Sequence, residues 1–186
     1  MVTPPQTTTG RTLIEMLPPA GADDPVALER LLDLINRVYA VAEHGLWRDA
    51  TPRVGATELA ELVRTGQIAV ATRGDALVGS IRVHDVAPGT AEFGILVSDP
   101  EQRGTGIGRD LVAFVELRAR DRGLTSMQLE LLVPHTGRHP TKDFLAAWYR
   151  RIGYRVITTR QFAEAYPHLA PMLAVPCDLL VFEKAL

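Results

Sequence analysis

The six residues Arg103-Gly104-Thr105-Gly106-Ile107-Gly108 place three glycines at alternate positions. They follow the apolar run Phe93–Val97 and lead into a helix-like stretch, Arg109–Arg122. Strand, turn and helix in that order gather backbone N–H groups into a pocket that suits a pyrophosphate without a lysine or a metal. Glycine removes side chains where a ligand must come close to the backbone. The first helical turn adds unpaired N–H donors and a partial positive charge, and Arg103 adds a cation. The G-x-G-x-G spacing is not the dinucleotide fingerprint G-x-G-x-x-G. No Gly-Lys-Ser/Thr follows either, which disfavours a nucleotide-hydrolysing P-loop.

The elements that must hold this turn can be read from periodicity. Leu13–Leu17 reads as a first strand, and Asp24-Pro25 as an N-cap with proline at the first helical position. Leu28, Leu31, Leu32, Ile35, Val38, Tyr39 and Ala42 then recur at three- and four-residue steps, giving one apolar helix face. Thr57–Arg64 reads as a second helix. Ile68–Thr72 and Leu77–His84 form a hairpin around Arg73-Gly74-Asp75, and Ala91–Val97 follows. In the helix after the turn, Ile107, Leu111, Val115 and Ala119 share a face. Met127–Val133 is a strand, Thr141 caps a helix to Ile152, and Tyr154–Thr158 and Leu179–Glu183 are final strands. This order predicts an α/β (α+β) fold with a mixed twisted sheet of six to seven strands and about four helices.

Bulk properties narrow the class. A chain of 186 residues, 46% hydrophobic and 23% charged, suits one globular domain, here residues 12–186 after a disordered tail over 1–11. A net charge of −2 draws it to neither nucleic acid nor anionic lipid. No apolar run approaches the ~20 residues of a membrane helix, and the start lacks a signal-peptide core. The single cysteine, Cys177, excludes an internal disulfide and a multi-cysteine metal site. The expectation is a cytoplasmic protein without a metal.

Arg103-x-x-Gly106-x-Gly108 resembles the R/Q-x-x-G-x-G/A signature of the GNAT superfamily of acyl-CoA-dependent N-acyltransferases. The approach Val97-x-x-Pro100-x-x-Arg103 is similar as well. Trp148-Tyr149-Arg150-Arg151-Ile152-Gly153-Tyr154 resembles the family's second signature, aromatic-Tyr-x-Lys/Arg-x-Gly-aromatic. Two motifs in the right elements and order are far more specific than either alone. The resemblance covers nearly the whole chain. It implies that Arg103, Gly104, Thr105, Gly106, Ile107, Gly108 and Arg109 hold the pyrophosphate of acetyl-CoA. It also implies a sheet splayed in a V between the fourth and fifth strands. The pantetheine arm would enter that V and bond to Leu96 and Val97. Where many members carry an asparagine on this arm, this chain has Lys142, to bond a pantetheine amide or a CoA phosphate, or simply to be exposed.

An amine attacks a thioester only when neutral, and deprotonating a lysine-like ammonium at pH 7 costs about 4–5 kcal/mol. A nearby base accepts that proton. Within the resemblance Glu92 is the candidate, and strand alternation sets Glu92, Gly94 and Leu96 opposite Phe93, Ile95 and Val97. Glu130, between Leu129 and Leu131, is the rival base or an orienter of the amine. Tyr149 is the candidate acid for the departing thiolate.

The acceptor pocket is expected from the loops His44–Arg53 and Phe162–Cys177, with Trp47, Tyr166 and, from the loop after the fifth strand, His135 as candidate contacts. Aromatic walls suit a small-molecule amine more than a long basic peptide. A protein or peptide amine and a non-catalytic acyl-CoA-binding module stay as alternatives. O-acyl transfer would require His84, His135 or His139 near the thioester. A homodimer is left open.

Overall fold

The computed structural model describes residues 11–48 and 51–186. The chain runs β1 (Thr12–Met16), α1 (Pro25–Ala42), α2 (Ala56–Arg64), β2 (Ile68–Arg73), β3 (Ala76–Ala87) and β4 (Thr90–Ser98). It continues α3 (Ile107–Asp121), β5 (Ser126–Pro134), α4 (Pro140–Arg151), β6 (Arg155–Gln161), α5 (Phe162–Ala165) and β7 (Cys177–Ala185). Seven strands form one sheet in the order β1-β2-β3-β4-β5-β7-β6. Only β4 and β5 run parallel; every other neighbour is antiparallel. The predicted mixed sheet is therefore present. Of the expected tail, residues 1–10 lie outside the described residues.

Local chemistry accounts for the helix ends. Asp24 caps α1 by accepting from the N–H groups of Val26 and Ala27, both at 3.0 Å, and Pro25 starts the helix where its missing N–H costs nothing. The α4 helix begins at Pro140 with His139 as its N-cap, rather than at Thr141 as expected. Proline fixes the first turn by its ring, and His139 makes no side-chain cap bond.

Helices cover both faces of the sheet. On one, α3 and α4 pack over Ile81, Phe93, Met127, Leu129 and Phe182. On the other, α1 and α2 cover Ile68, Val70, Ile95 and Val97. A third cluster joins Leu46 and Trp47 to Leu132, Phe162, Leu173 and Leu179.

The strict alternation expected of β4 fails at its centre. Arg82 faces Gly94 while Ser80 faces Val97, so β4 carries one more residue than β3 over this stretch. Ile95 sits at φ +47°, the only non-glycine with positive φ among the described residues. For a β-branched residue that conformation stores strain of order 1–3 kcal/mol. The bulge reverses the faces. Ala91 and Phe93 pack with α3 and α4, whereas Ile95 and Val97 pack with α1 and α2. Glu92 thus shares its face with Ile95 and Val97, and Leu96 lies on the other.

Gly79 on β3 lets the start of α3 approach the sheet. A Cβ there would meet Ile107 Cγ2 and the Val97 carbonyl oxygen, each at 2.9 Å. Gly79→Ala is expected to cost about 1–3 kcal/mol in urea unfolding. Gly94→Ala, whose Cβ would meet nothing within 4 Å, is expected to stay within about 0.5 kcal/mol.

Candidate active site

The strands β4 and β5 pair only through Thr90, Ala91 and Glu92 against Ser126, Met127 and Gln128. Beyond that rung β5 stays bonded to β7 as far as Pro134, while β4 runs on to Ser98 against β3. The sheet opens into a V, as the sequence led us to expect. Ile95 and Leu96 have no register partner on β3. This break in the register lies beyond the last rung shared with β5, beside the gap.

The glycine turn closes the β4 side of the V. Gly104 and Gly106 have φ of +81° and +89°, in the left-handed region where a Cβ is strained. Gly106 is the N-cap of α3 and has no side chain to satisfy the first helical N–H groups. Among the described residues, the N–H groups of Gly104, Gly106, Ile107, Gly108 and Arg109 find no acceptor in the turn or its surroundings. Ile107 is buried, whereas Arg103, Thr105 and Arg109 are exposed. Arg109 pairs with Asp110 at 3.1 Å. A cradle of free N–H donors beside exposed cations fits a diphosphate.

Tyr149 comes to the V from α4. Its ring is buried against Phe93, Trp148, Tyr154 and Phe182. Burial, with a smaller contribution from Tyr39, pushes its phenol pKa well up, so it stays protonated. Tyr154, in the same aromatic group, donates instead to Glu116 at 2.8 Å. Glu116 also takes Lys184 at 2.8 Å. An acid on the apolar stripe between Val112 and Ala119 was a legible signal of such a buried network.

Lys142 is neither exposed nor turned to solvent. It is buried and donates to Glu43 of α1 at 2.6 Å, and Glu43 also accepts from Trp47 Nε1 at 2.6 Å. Burial lowers the lysine pKa and the Glu43 carboxylate opposes that shift. The pair links α4 to the end of α1, a contact 99 positions apart in sequence. No local pattern could have announced it.

On the opposite face, Glu92 sits at the last paired rung of the V. Burial raises its carboxyl pKa, and Arg82 and Arg160 partly oppose the shift. His84 lies directly opposite on β3. Its Nδ1 is buried without a partner among the described residues, and burial lowers its pKa. Glu130, two residues beyond the rung, is held by Arg160 and by the Tyr166 hydroxyl at 2.7 Å. Glu130 and Tyr166 thus meet, joined by Arg160, a residue the sequence did not single out.

Trp47 packs edge-on against Phe162 with ring centroids 5.6 Å apart. The two loops expected to wall the acceptor side are bonded to each other. Trp47 bridges to Leu173, Arg48 N–H donates to Met172 O at 2.8 Å, and Ala174 N–H to Leu46 O at 2.9 Å. Of the first loop, residues 49 and 50 lie outside the described residues. His135 does not join Glu92. It is bonded to Asp178 at 2.9 Å, and its seven-residue distance along β5 from Gln128 corresponds to roughly 23 Å. His139 Nε2 lies 3.1 Å from the His44 carbonyl oxygen.

Comparison with known proteins places this geometry. No curated protein matches the sequence at a significant level. The PaiA N-acetyltransferase of Thermoplasma acidophilum, solved with coenzyme A, superposes with a TM-score of 0.70 over 95% of this chain and 99% of its own, at 17% identity. An aminoglycoside 6′-N-acetyltransferase complexed with coenzyme A gives 0.67 over 93% and 96%, at 18% identity. The ribosomal-protein-alanine N-acetyltransferase of Brucella melitensis gives 0.62 over 94% and 99%, at 21% identity. These likenesses establish the fold, and their named substrates differ. The family model described as acetyltransferase (GNAT) domain matches residues 64–156, half of the chain, spanning the V, the glycine turn and Tyr149. The chain belongs to the GNAT acetyltransferase family.

Proposed function

We propose that the protein transfers an acetyl group from acetyl-CoA to the primary amine of a small molecule, by direct attack in a ternary complex. The observation that carries this reading is Glu92, a half-buried carboxyl with a raised pKa at the point where the V begins to open. Acetyl-CoA, when bound, supplies the acetyl group as a thioester. The N–H cradle from Gly104 to Arg109 would hold its pyrophosphate, and the β4 backbone at Leu96 and Val97 its pantetheine arm. Arg103 completes that side of the site. Lys142 acts here through Glu43, as a support for the wall rather than as a ligand.

Glu92 takes the proton that the amine must lose. A carboxyl whose pKa is raised toward the working pH is a stronger base than an ordinary glutamate. Tyr149, the candidate acid, is protonated at the working pH and donates a hydrogen bond to the sulfur as it leaves; the burial that raises its pKa makes it a weaker acid than a free phenol. The C–N bond forms as the C–S bond breaks. An acceptor arriving as an ammonium first loses one proton to solvent; the neutral amine then gives one proton to Glu92 as it attacks, and the sulfur takes one on the Tyr149 side, so the charges balance. Glu130 is already engaged by Arg160 and Tyr166, which favours an orienting role for it over that of base. The two loops bonded to each other through Trp47 and Leu173 make a continuous wall. Such a wall supports a compact acceptor over an extended peptide.

Transfer is measured as thiol release with acetyl-CoA and a panel of primary amines. Glu92→Gln and Tyr149→Phe are each expected to lower kcat by about 10²–10⁴. If both leave kcat unchanged on a true substrate, the assigned roles are wrong. In the parent enzyme kcat/KM is expected to rise with pH through an acid limb above the ordinary glutamate pKa of about 4.3, and Glu92→Gln removes that limb.

The same shift has a stability consequence. Glu92 is raised in the folded state, so its favourable contribution is full below the unfolded pKa. It is lost as pH rises through the folded value. Glu92→Gln should therefore melt higher than the parent at pH 8, with the gain shrinking toward zero below about pH 4. An unchanged melting difference across that range would contradict the raised pKa.

A further inference from the structure

The face of the sheet around Glu92 carries a guanidinium, that of Arg82, which makes no ion pair among the described residues. Arg82 stands on β3 two residues from His84, the register partner of Glu92. Ile81 and Val83 on either side of it point into the α3–α4 core. Alternation therefore turns Arg82 to the same face as Glu92. Its Nε donates to the neutral amide of Gln67 at 2.9 Å. Among the described residues no carboxylate lies within ion-pair distance of it, and its two terminal nitrogens have no acceptor.

Arg160 projects onto this face from β6, where it is opposite Leu179. One of its terminal nitrogens reaches Glu130, and its remaining donors are without acceptors among the described residues. Both guanidinium groups are near enough to Glu92 to oppose the rise in its pKa. Of the other carboxylates nearby, Glu130 is taken by Arg160 and Tyr166 and Glu183 by the Gln128 amide at 2.7 Å, while Glu58 of α2 acts on Arg82 from beyond ion-pair distance and accepts from the Gly55 N–H.

A guanidinium remains charged at any working pH. An acceptor that brings only an ammonium to Glu92 meets the Arg82 guanidinium, which no carboxylate pairs. An acceptor that also brings an anion meets planar donor forks suited to a carboxylate. Resting on the acetyltransferase reading, we infer that the acceptor is an amino acid or a closely related small amine bearing a carboxylate, which Arg82 and Arg160 hold beside Glu92. The carboxylate pairs with Arg82 and accepts from the spare donors of Arg160 while the amine faces Glu92. Arg82 and Arg160 are then specificity determinants, and polyamines and aminoglycoside-like polycations are poor acceptors.

The test compares matched acceptors: a set of amino acids, their carboxamides and their decarboxylated amines, each with acetyl-CoA and the full-length enzyme. For the preferred skeleton, the acid should exceed both neutral counterparts by about tenfold or more in kcat/KM. Arg82→Gln should collapse that ratio toward one, and Arg82→Lys should restore part of it. The comparison in the parent enzyme needs no variant to fold. Transfer to amines without preference for the acid would overturn this inference and leave the acetyltransferase reading standing. A ratio that Arg82→Gln leaves intact would also overturn it. Absence of transfer to every amine tried would overturn both.

Discussion

The rest of the structure depends on how briefly β4 and β5 stay together. A parallel pair of nine-residue strands could bond along its length, yet here only three residues on each side do so. Beyond them β5 follows β7 and β4 follows β3. Buried backbone groups without partners are costly, so an opened sheet persists only where something else uses its edges. The bulge at Ile95 breaks the register beside the gap and moves Ile95 and Val97 into the opposite core. Strain at Ile95 and a gap in the hydrogen-bond ladder mark the same place. Functional sites often store strain in this way.

Holding such a gap open requires ties across it. On one side α3 lies close over Gly79 and Val97. On the other, Lys142 of α4 meets Glu43 of α1 in a buried ion pair that also engages Trp47. A buried pair recovers its desolvation cost only with close geometry and further hydrogen bonds; here both contacts to Glu43 are 2.6 Å. The pair contributes position more than stability. It fixes the helix that carries Tyr149 against the loop that carries Trp47. That loop is in turn bonded to the excursion between β6 and β7.

The two sides of the V use different physics. The glycine turn presents neutral N–H dipoles, which bind an anion without a compensating charge in the empty site. The face around Glu92 presents full charges, with Arg82 and Arg160 against Glu92 and Glu130. Burial decides the protonation there. It keeps the Tyr149 phenol neutral and makes Glu92 harder to ionise. The raised carboxyl pKa suits Glu92 to the part of a base, while the raised phenol pKa keeps Tyr149, on the other face, a hydrogen-bond donor.

Much of this was legible in the sequence. Spacing alone located the turn from Arg103 to Gly108, the apolar face of α3 and the order of the elements, because those features follow from chain geometry within a few residues. The second motif, around Tyr149, identified the family for the same reason. Strand alternation failed at Ile95, since a bulge depends on the partner strand and leaves no period of its own. His135 looked close to the chemistry because it follows β5 directly, but the register carries it to the far end. Lys142 was read as a ligand or a surface residue; its partner lies on another helix, and nothing nearby in sequence encodes that. The meeting of Arg160 with Glu130 and Tyr166, and the approach of Arg82 to Glu92, depend on strands that become neighbours only in the sheet. The sequence by itself determined the elements and the turn, which rest on local geometry, and carried the two motifs by which the chain resembles its family. The tertiary structure alone decided which charges face one another around Glu92, because burial and pairing between distant strands set both their distances and their protonation.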